Sequence, residues 1–221
     1  MHGGVKKENL AVPDKGAVLR GLANLEKHIE NVRKFGVPPV VSINIFTQDS
    51  KEEFQAIYDH CQRLGVPVKT SNVWPQGGDG GIELAKRKVE INDRGEANFH
   101  CLYNIDEMLQ NKVRIVAKEI YGAKDVSFGK EALLAIESYE KMGLGGLPVC
   151  MAKTQYSFSD NPALLGRPEG FTIHVRTARL SAGAGFVVML TGDIMTMPGL
   201  PKVPAAERID VDENGVIKGL F

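Results

Sequence analysis

Two short apolar stretches on either side of a helix-forming segment constrain this chain more than any other feature. "PPVVSINIF" (38–46) is rich in β-branched residues and opens on two prolines, the pattern of a buried strand. "DSKEEFQAIYDHCQRLG" (49–65) begins with Asp-Ser, continues through an acidic first turn and stops at Gly65, the pattern of a capped helix. "VPVKTS" (66–71) reads as a second strand. Two strands joined by one helix lie parallel, so their C-terminal ends open on the same edge. That edge is where open α/β sheets bind ligands.

Downstream the chain keeps alternating before it changes character. Helices are predicted over 82–93 ("IELAKRKVEIND"), 106–122 and 130–142, and a strand over 147–154 ("LPVCMAKT"). Then come two strand-like runs, "FTIHVRTARLS" and "GFVVMLTG", and "IDVDENGVIKGLF", which holds an Asn214-Gly215 hairpin signal. The expected class is α/β, with a mostly parallel sheet, flanking helices and a C-terminal antiparallel hairpin extension. Upstream, "MHGGVKKENLAVPDKG" reads as a tail with no core of its own. From Ala17 to about Lys34, Leu19, Leu22, Leu25, Ile29 and Val32 follow helical spacing.

Composition narrows the function classes. Hydrophobic residues make up 43% and charged residues 24% of 221, so a sizeable core is within reach. Lys plus Arg equals Asp plus Glu at 27 each, leaving no global field for nucleic acid or an acidic membrane. No apolar run reaches about 18 residues and no signal peptide opens the sequence, so a soluble, cytoplasmic protein is expected. Cys61, Cys101 and Cys150 are far apart and odd in number, which fits buried free thiols in a reducing compartment. They form no zinc spacing, and no metal ligand set is expected.

The ligand edge carries the one tryptophan. Trp74 stands in "SNVWPQGGDGG" (71–81), in the loop after the second strand, and Phe46 stands at the exit of the first. Two such rings can sandwich a flat heterocycle. Gly77, Gly78, Gly80 and Gly81 would let a ligand approach main-chain N–H groups. Asp79 would repel a phosphate and suits an amine or amide donor. Equally, Trp74 can simply cap the core while the glycines turn the chain.

Other constellations are weaker. No GxxxxGK[ST] phosphate loop is encoded, and "AGAGF" (182–186) precedes a strand rather than opening a helix. Lys153 either meets an anion at the end of its strand or faces solvent. The "GRPEGF" loop, with Arg167 and Pro168, either lines a pocket or reverses the chain. His60 reads as a surface or satisfied histidine. No nucleophile set is visible, so no catalytic residue is assigned.

Together, "KHIENVRKFGVPPVVSINIFTQDSKEE", "SNVWPQGGDGG", "KTQYSFSDNP" and "RTARLSAGAGFVVMLTGDIMTMPGLPKVPAAERIDVDENGVIKGLF" resemble the C-terminal portion of formate–tetrahydrofolate ligases. "HGG" (2–4) resembles the end of that family's "ALKxHGG" signature. The resemblance implies a carbon–nitrogen ligase that makes 10-formyltetrahydrofolate from formate, tetrahydrofolate and ATP through formyl phosphate. It implies magnesium with the ATP, a monovalent cation and a homotetramer. It assigns the pterin clamp to Phe46 and Trp74, and it weakly places Lys153, Arg167 and Pro168 on the nucleotide side. The phosphate loop belongs to a preceding nucleotide-binding domain, so the chain by itself is expected to be inactive. Residues 1–25 would then pack on that missing domain, with Leu19 and Leu22 exposed, and 26–221 would form the folate-binding α/β domain. A non-catalytic folate or purine module, or a scaffold whose site forms only with the missing domain, are the alternatives.

Overall fold

The computed structural model describes residues 1–192 and 203–219. Its elements run α1 (Lys15–Arg33), β1 (Val41–Asn44), α2 (Lys51–Arg63), β2 (Val68–Ser71), α3 (Val73–Gln76), α4 (Ile82–Asp93), α5 (Leu109–Val116), β3 (Asp125–Phe128), α6 (Lys130–Lys141), β4 (Val149–Ala152), β5 (Thr172–Ser181), β6 (Phe186–Thr191), β7 (Asp210–Val211) and β8 (Ile217–Lys218). The α/β class holds, with the strands divided among three sheets. β1 and β2 form a parallel pair of their own, with Val41 opposite Val68 and Asn44 opposite Ser71. The main sheet has the order β3-β5-β6-β4, in which β3–β5 and β4–β6 are parallel and β5–β6 antiparallel.

Local chemistry sets the helix ends. Ser50 caps α2: its hydroxyl accepts from Glu53 N–H, and the Glu53 carboxylate accepts from Ser50 N–H, a reciprocal capping box. Asp14 caps α1 by accepting from Ala17 N–H, so this helix begins two residues before the expected start. The predicted 106–122 helix begins only at Leu109 and continues as a π turn, Ala117–Tyr121, ended by left-handed Gly122. In the β7–β8 hairpin only Gly215 takes positive φ; Asn214 does not. Asp212 therefore shapes the turn, its side chain accepting from Asn214 and Val216 N–H.

The main core lies between the four-stranded sheet and helices α5 and α6. Leu109 and Val113 of α5 and Ile136 of α6 pack with Ile173 and Val175 of β5 and with Met189 of β6, all fully buried. Each such side chain contributes about 1.5–3 kcal/mol on burial. A second cluster joins Ile29 of α1, Cys61 of α2 and Val66 beneath β1–β2. Polar ties link the two halves. Lys27 of α1 and Lys34 just after it donate to the Glu119 carbonyl at 2.9 and 2.8 Å, and Asn31 donates to the Ile120 carbonyl at 2.8 Å. These are terminal carbonyls that a helix cannot satisfy itself.

The expected boundary at residue 25 falls within the continuous helix α1. Leu19 is exposed as expected, but Leu22 is buried, on the same face of α1 as buried Ile29 two turns on. The opening segment makes its own contacts: Arg20 donates to the Gly3 carbonyl at 2.9 Å. Residues 193–202 of the long C-terminal motif, and 220–221 at its end, lie outside the described residues.

Candidate functional site

The two aromatic side chains singled out from sequence stand on loops leaving adjacent strands. Because β1 and β2 are direct neighbours in parallel register, Phe46 and Trp74 both emerge at the carboxyl edge of this pair. Phe46 is 64% exposed and Trp74 88% exposed, so both side chains are accessible from solvent. Neither ring caps the core. Adjacent strands lie about 4.8 Å apart, and side chains of this length can open to the roughly 7 Å a stacked heterocycle needs.

The local sequence fixes this geometry from below. Phe46 N–H donates to Asp49 Oδ2 at 2.9 Å, and Asp49 N–H returns a bond to the Phe46 carbonyl at 3.2 Å, closing the turn after β1. After β2, Trp74 and Pro75 lie in the single helical turn α3, and Gly77–Gly81 form a 3-10 turn that leads into α4. Gly77 has φ +57° and ψ −144°, a conformation open essentially only to glycine. A Cβ on Gly80 would stand 2.2 Å from the Asn72 carbonyl oxygen, so the chain can close there only without a side chain. Gly77, Gly78 and Asp79 are exposed, and Gly80 and Gly81 half-buried, beside Trp74.

The residues of the predicted nucleotide side lie elsewhere. Arg167 forks onto Glu30 with bonds of 2.8 and 2.9 Å, which hold its loop against α1. Its guanidinium is already committed to a carboxylate, and neighbouring Pro168 is half-buried. Lys153 is not a solvent-facing lysine. Its Nζ donates to the Thr154 carbonyl at 3.0 Å and to the Ser157 carbonyl, and stands 4.8 Å from the Tyr121 ring centroid. Burial pushes its pKa down to about 8, against a smaller upward pull from Asp160. His60 Nε2 lies 2.8 Å from Glu26 Oε1, which ties α2 to α1. Of the cysteines, only Cys61 is buried; Cys101 and Cys150 are exposed, contrary to the expectation of buried thiols. Both line an apolar cavity of about 910 Å³ bounded by Phe35, Phe99, Tyr103 and Tyr121. Sequence reading missed this cavity because its walls come from four separated segments.

Among the described residues no group of three or more His, Cys, Asp or Glu side chains is placed to hold a metal ion. Among the same residues no helix is long and apolar enough to cross a membrane.

Fold and edge define an α/β protein with an exposed aromatic pair and a glycine turn at the carboxyl ends of parallel strands, the usual ligand-binding position of that class. The sequence model of one family, formate–tetrahydrofolate ligase, matches residues 1–221. The chain belongs to that family. Its members are carbon–nitrogen ligases of one-carbon metabolism, with tetrahydrofolate, formate and ATP as substrates.

Proposed function

We propose that this chain supplies the folate-holding surface of a formate–tetrahydrofolate ligase, with the pterin between Phe46 and Trp74. One observation supports the reading: two highly exposed rings leave neighbouring parallel strands at the same edge. Stacking contributes about 1–3 kcal/mol per ring for nucleobase-like ligands. The Gly77–Gly81 turn then lets the ligand approach the main chain, and the Asp79 carboxylate accepts from an amine or amide N–H of the heterocycle.

In the proposed reaction a formate oxygen takes the terminal phosphoryl group of ATP, giving formyl phosphate and ADP. N10 of tetrahydrofolate attacks the formyl carbon, phosphate leaves with the C–O electron pair, and N10 gives up its proton. No phosphate loop is encoded in this chain, so the phosphoryl step is assigned to a nucleotide-binding domain against which residues 1–25 pack. That domain would hold most of the ATP contacts, with magnesium neutralising the phosphates and a monovalent cation supporting activity. The complete ligase is proposed to be a cytoplasmic homotetramer, and this chain alone to be inactive.

The test is a tetrahydrofolate titration followed by Trp74 emission, corrected for absorption by the folate. Saturable quenching is expected, weakened at least tenfold in Phe46→Ala, which is about 1.4 kcal/mol. Absence of quenching at millimolar ligand, or equal affinity in Phe46→Ala, would remove the clamp from this chain.

A further inference from the structure

A second site gathers around the exit of β4. Lys153 from the end of that strand, His28 from α1 and His2 from the opening segment line one cavity of about 300 Å³. Each has its pKa pushed down. Lys153 is lowered to about 8 by burial. His28 is lowered by burial and then by the charges of His2 and Lys153, and His2 by burial and then by the charge of the N-terminal amine. Three sequence-distant basic groups therefore share one space, and the charges of His2 and Lys153 both oppose protonation of His28.

Among the described residues no carboxylate is in contact with the three basic groups. Among the described residues, the groups facing the cluster are Tyr121 from the π turn, Tyr156 and Asp160 from the loop after β4, and the N-terminal amine beside His2. Tyr121 has its hydroxyl pKa raised to about 12 by burial and then by Cys150, so it stays neutral. Asp160 is turned away: its Oδ2 accepts from His174 N–H at 2.8 Å, and among the described residues no ion pair joins it to Lys153. The hydrogen-bond pattern leaves donors. Gly166 N–H donates to His2 Nδ1 at 3.0 Å, which places the proton of the neutral ring on Nε2. Lys153 gives two of its three N–H groups to the Thr154 and Ser157 carbonyls, and among the described residues no acceptor takes the third.

We propose that the cavity lined by Lys153, His28 and His2 is a binding site for a small oxyanion, a phosphate or a carboxylate. It is separate from the aromatic pair and stands or falls independently of the folate reading. A bound anion offsets the burial that disfavours the charged forms of these groups, so binding raises the pKa of both histidines and takes up protons.

The experiment follows the five histidine side chains of the whole chain by NMR, titrating sodium phosphate, sodium acetate and sodium chloride at matched ionic strength. His2 and His28 should shift saturably, with pKa values that rise, while His60, His100 and His174 serve as internal controls. Saturation by phosphate alone assigns the site to phosphates, and saturation by acetate assigns it to carboxylates. Lys153→Gln should weaken the response at least tenfold. Should that variant lose its fold by circular dichroism, His28→Gln takes its place, read through His2. No saturable shift, an equal response to chloride, or unchanged affinity in a folded variant overturns the proposal.

Discussion

Asn72 N–H donates to the Gly80 carbonyl at 3.0 Å, folding the glycine turn back onto the residue that opens the Trp74 turn. The approach is close enough that a Cβ on Gly80 would lie 2.2 Å from Asn72 O and 2.4 Å from its carbonyl carbon. Both obstacles are backbone, so the turn itself must move. Gly80→Ala is therefore expected to weaken tetrahydrofolate quenching of Trp74 at least tenfold. Gly183→Ala, in the turn between β5 and β6 and with a Cβ that meets nothing within 4 Å, should leave it near the unsubstituted value. Equal affinities in the two variants would show that this turn does not position the ligand.

A different interaction holds the main core. Lys112 is fully buried, its Nζ donating to the Gly145 and Leu147 carbonyls at 2.7 and 3.0 Å. Lys112→Met keeps the volume but leaves two carbonyls without a partner, at a cost of about 1–3 kcal/mol each when such groups stay buried. Lys112→Ala adds an unfilled volume to the same loss. Urea unfolding should order the stabilities as unsubstituted, then Met, then Ala. A methionine variant as stable as the parent would mean that water reaches both carbonyls.

The parts of the fold legible in sequence were those in which local chemistry and final environment agree. Ser50 with Glu53 writes the start of α2 in four residues, and the 82–93 helix matches its predicted bounds. β3 escaped notice because Asp125–Phe128 is short and half polar; its pairing with β5, far along the chain, makes it a strand. Phe46 and Trp74 were legible because one helix between two strands determines the edge at which both loops emerge. Lys153 was not. Its pKa is lowered by burial, which places it against the Tyr121 ring, and its cavity is shared with His2 and His28, all far from it in sequence.

The fork from Arg167 to Glu30 gives a narrower expectation. Both side chains are partly exposed, at 31% and 42%, so solvent screens the pair and its worth is on the order of 1 kcal/mol or less. Arg167→Lys keeps the charge but loses the two-pronged geometry. Its thermal midpoint should fall by only a few degrees. The phosphate response of His2 and His28 should persist, since Arg167 does not line their cavity. A vanished response would bring this loop into the anion site.

Stability should vary with pH in a way that Lys153 and Tyr121 control jointly. Lys153 has a folded pKa of about 8 against an ordinary value of 10.5. Between those values the unfolded chain binds more protons, so stability rises with pH through that window. Lys27 and Lys112, also lowered by burial, act in the same sense. Tyr121 works in the opposite direction, with a folded pKa of about 12 against 10.0. Its contribution is complete below pH 10 and is lost as pH rises toward 12. The urea midpoint at constant ionic strength should therefore climb from about pH 8 to 10 and then decline. Lys153→Met should flatten the climb and leave the decline, whereas Tyr121→Phe should do the reverse. If Lys153→Met leaves the climb unchanged, the lysine is not buried in solution as its contacts with Tyr121 and Ser157 require.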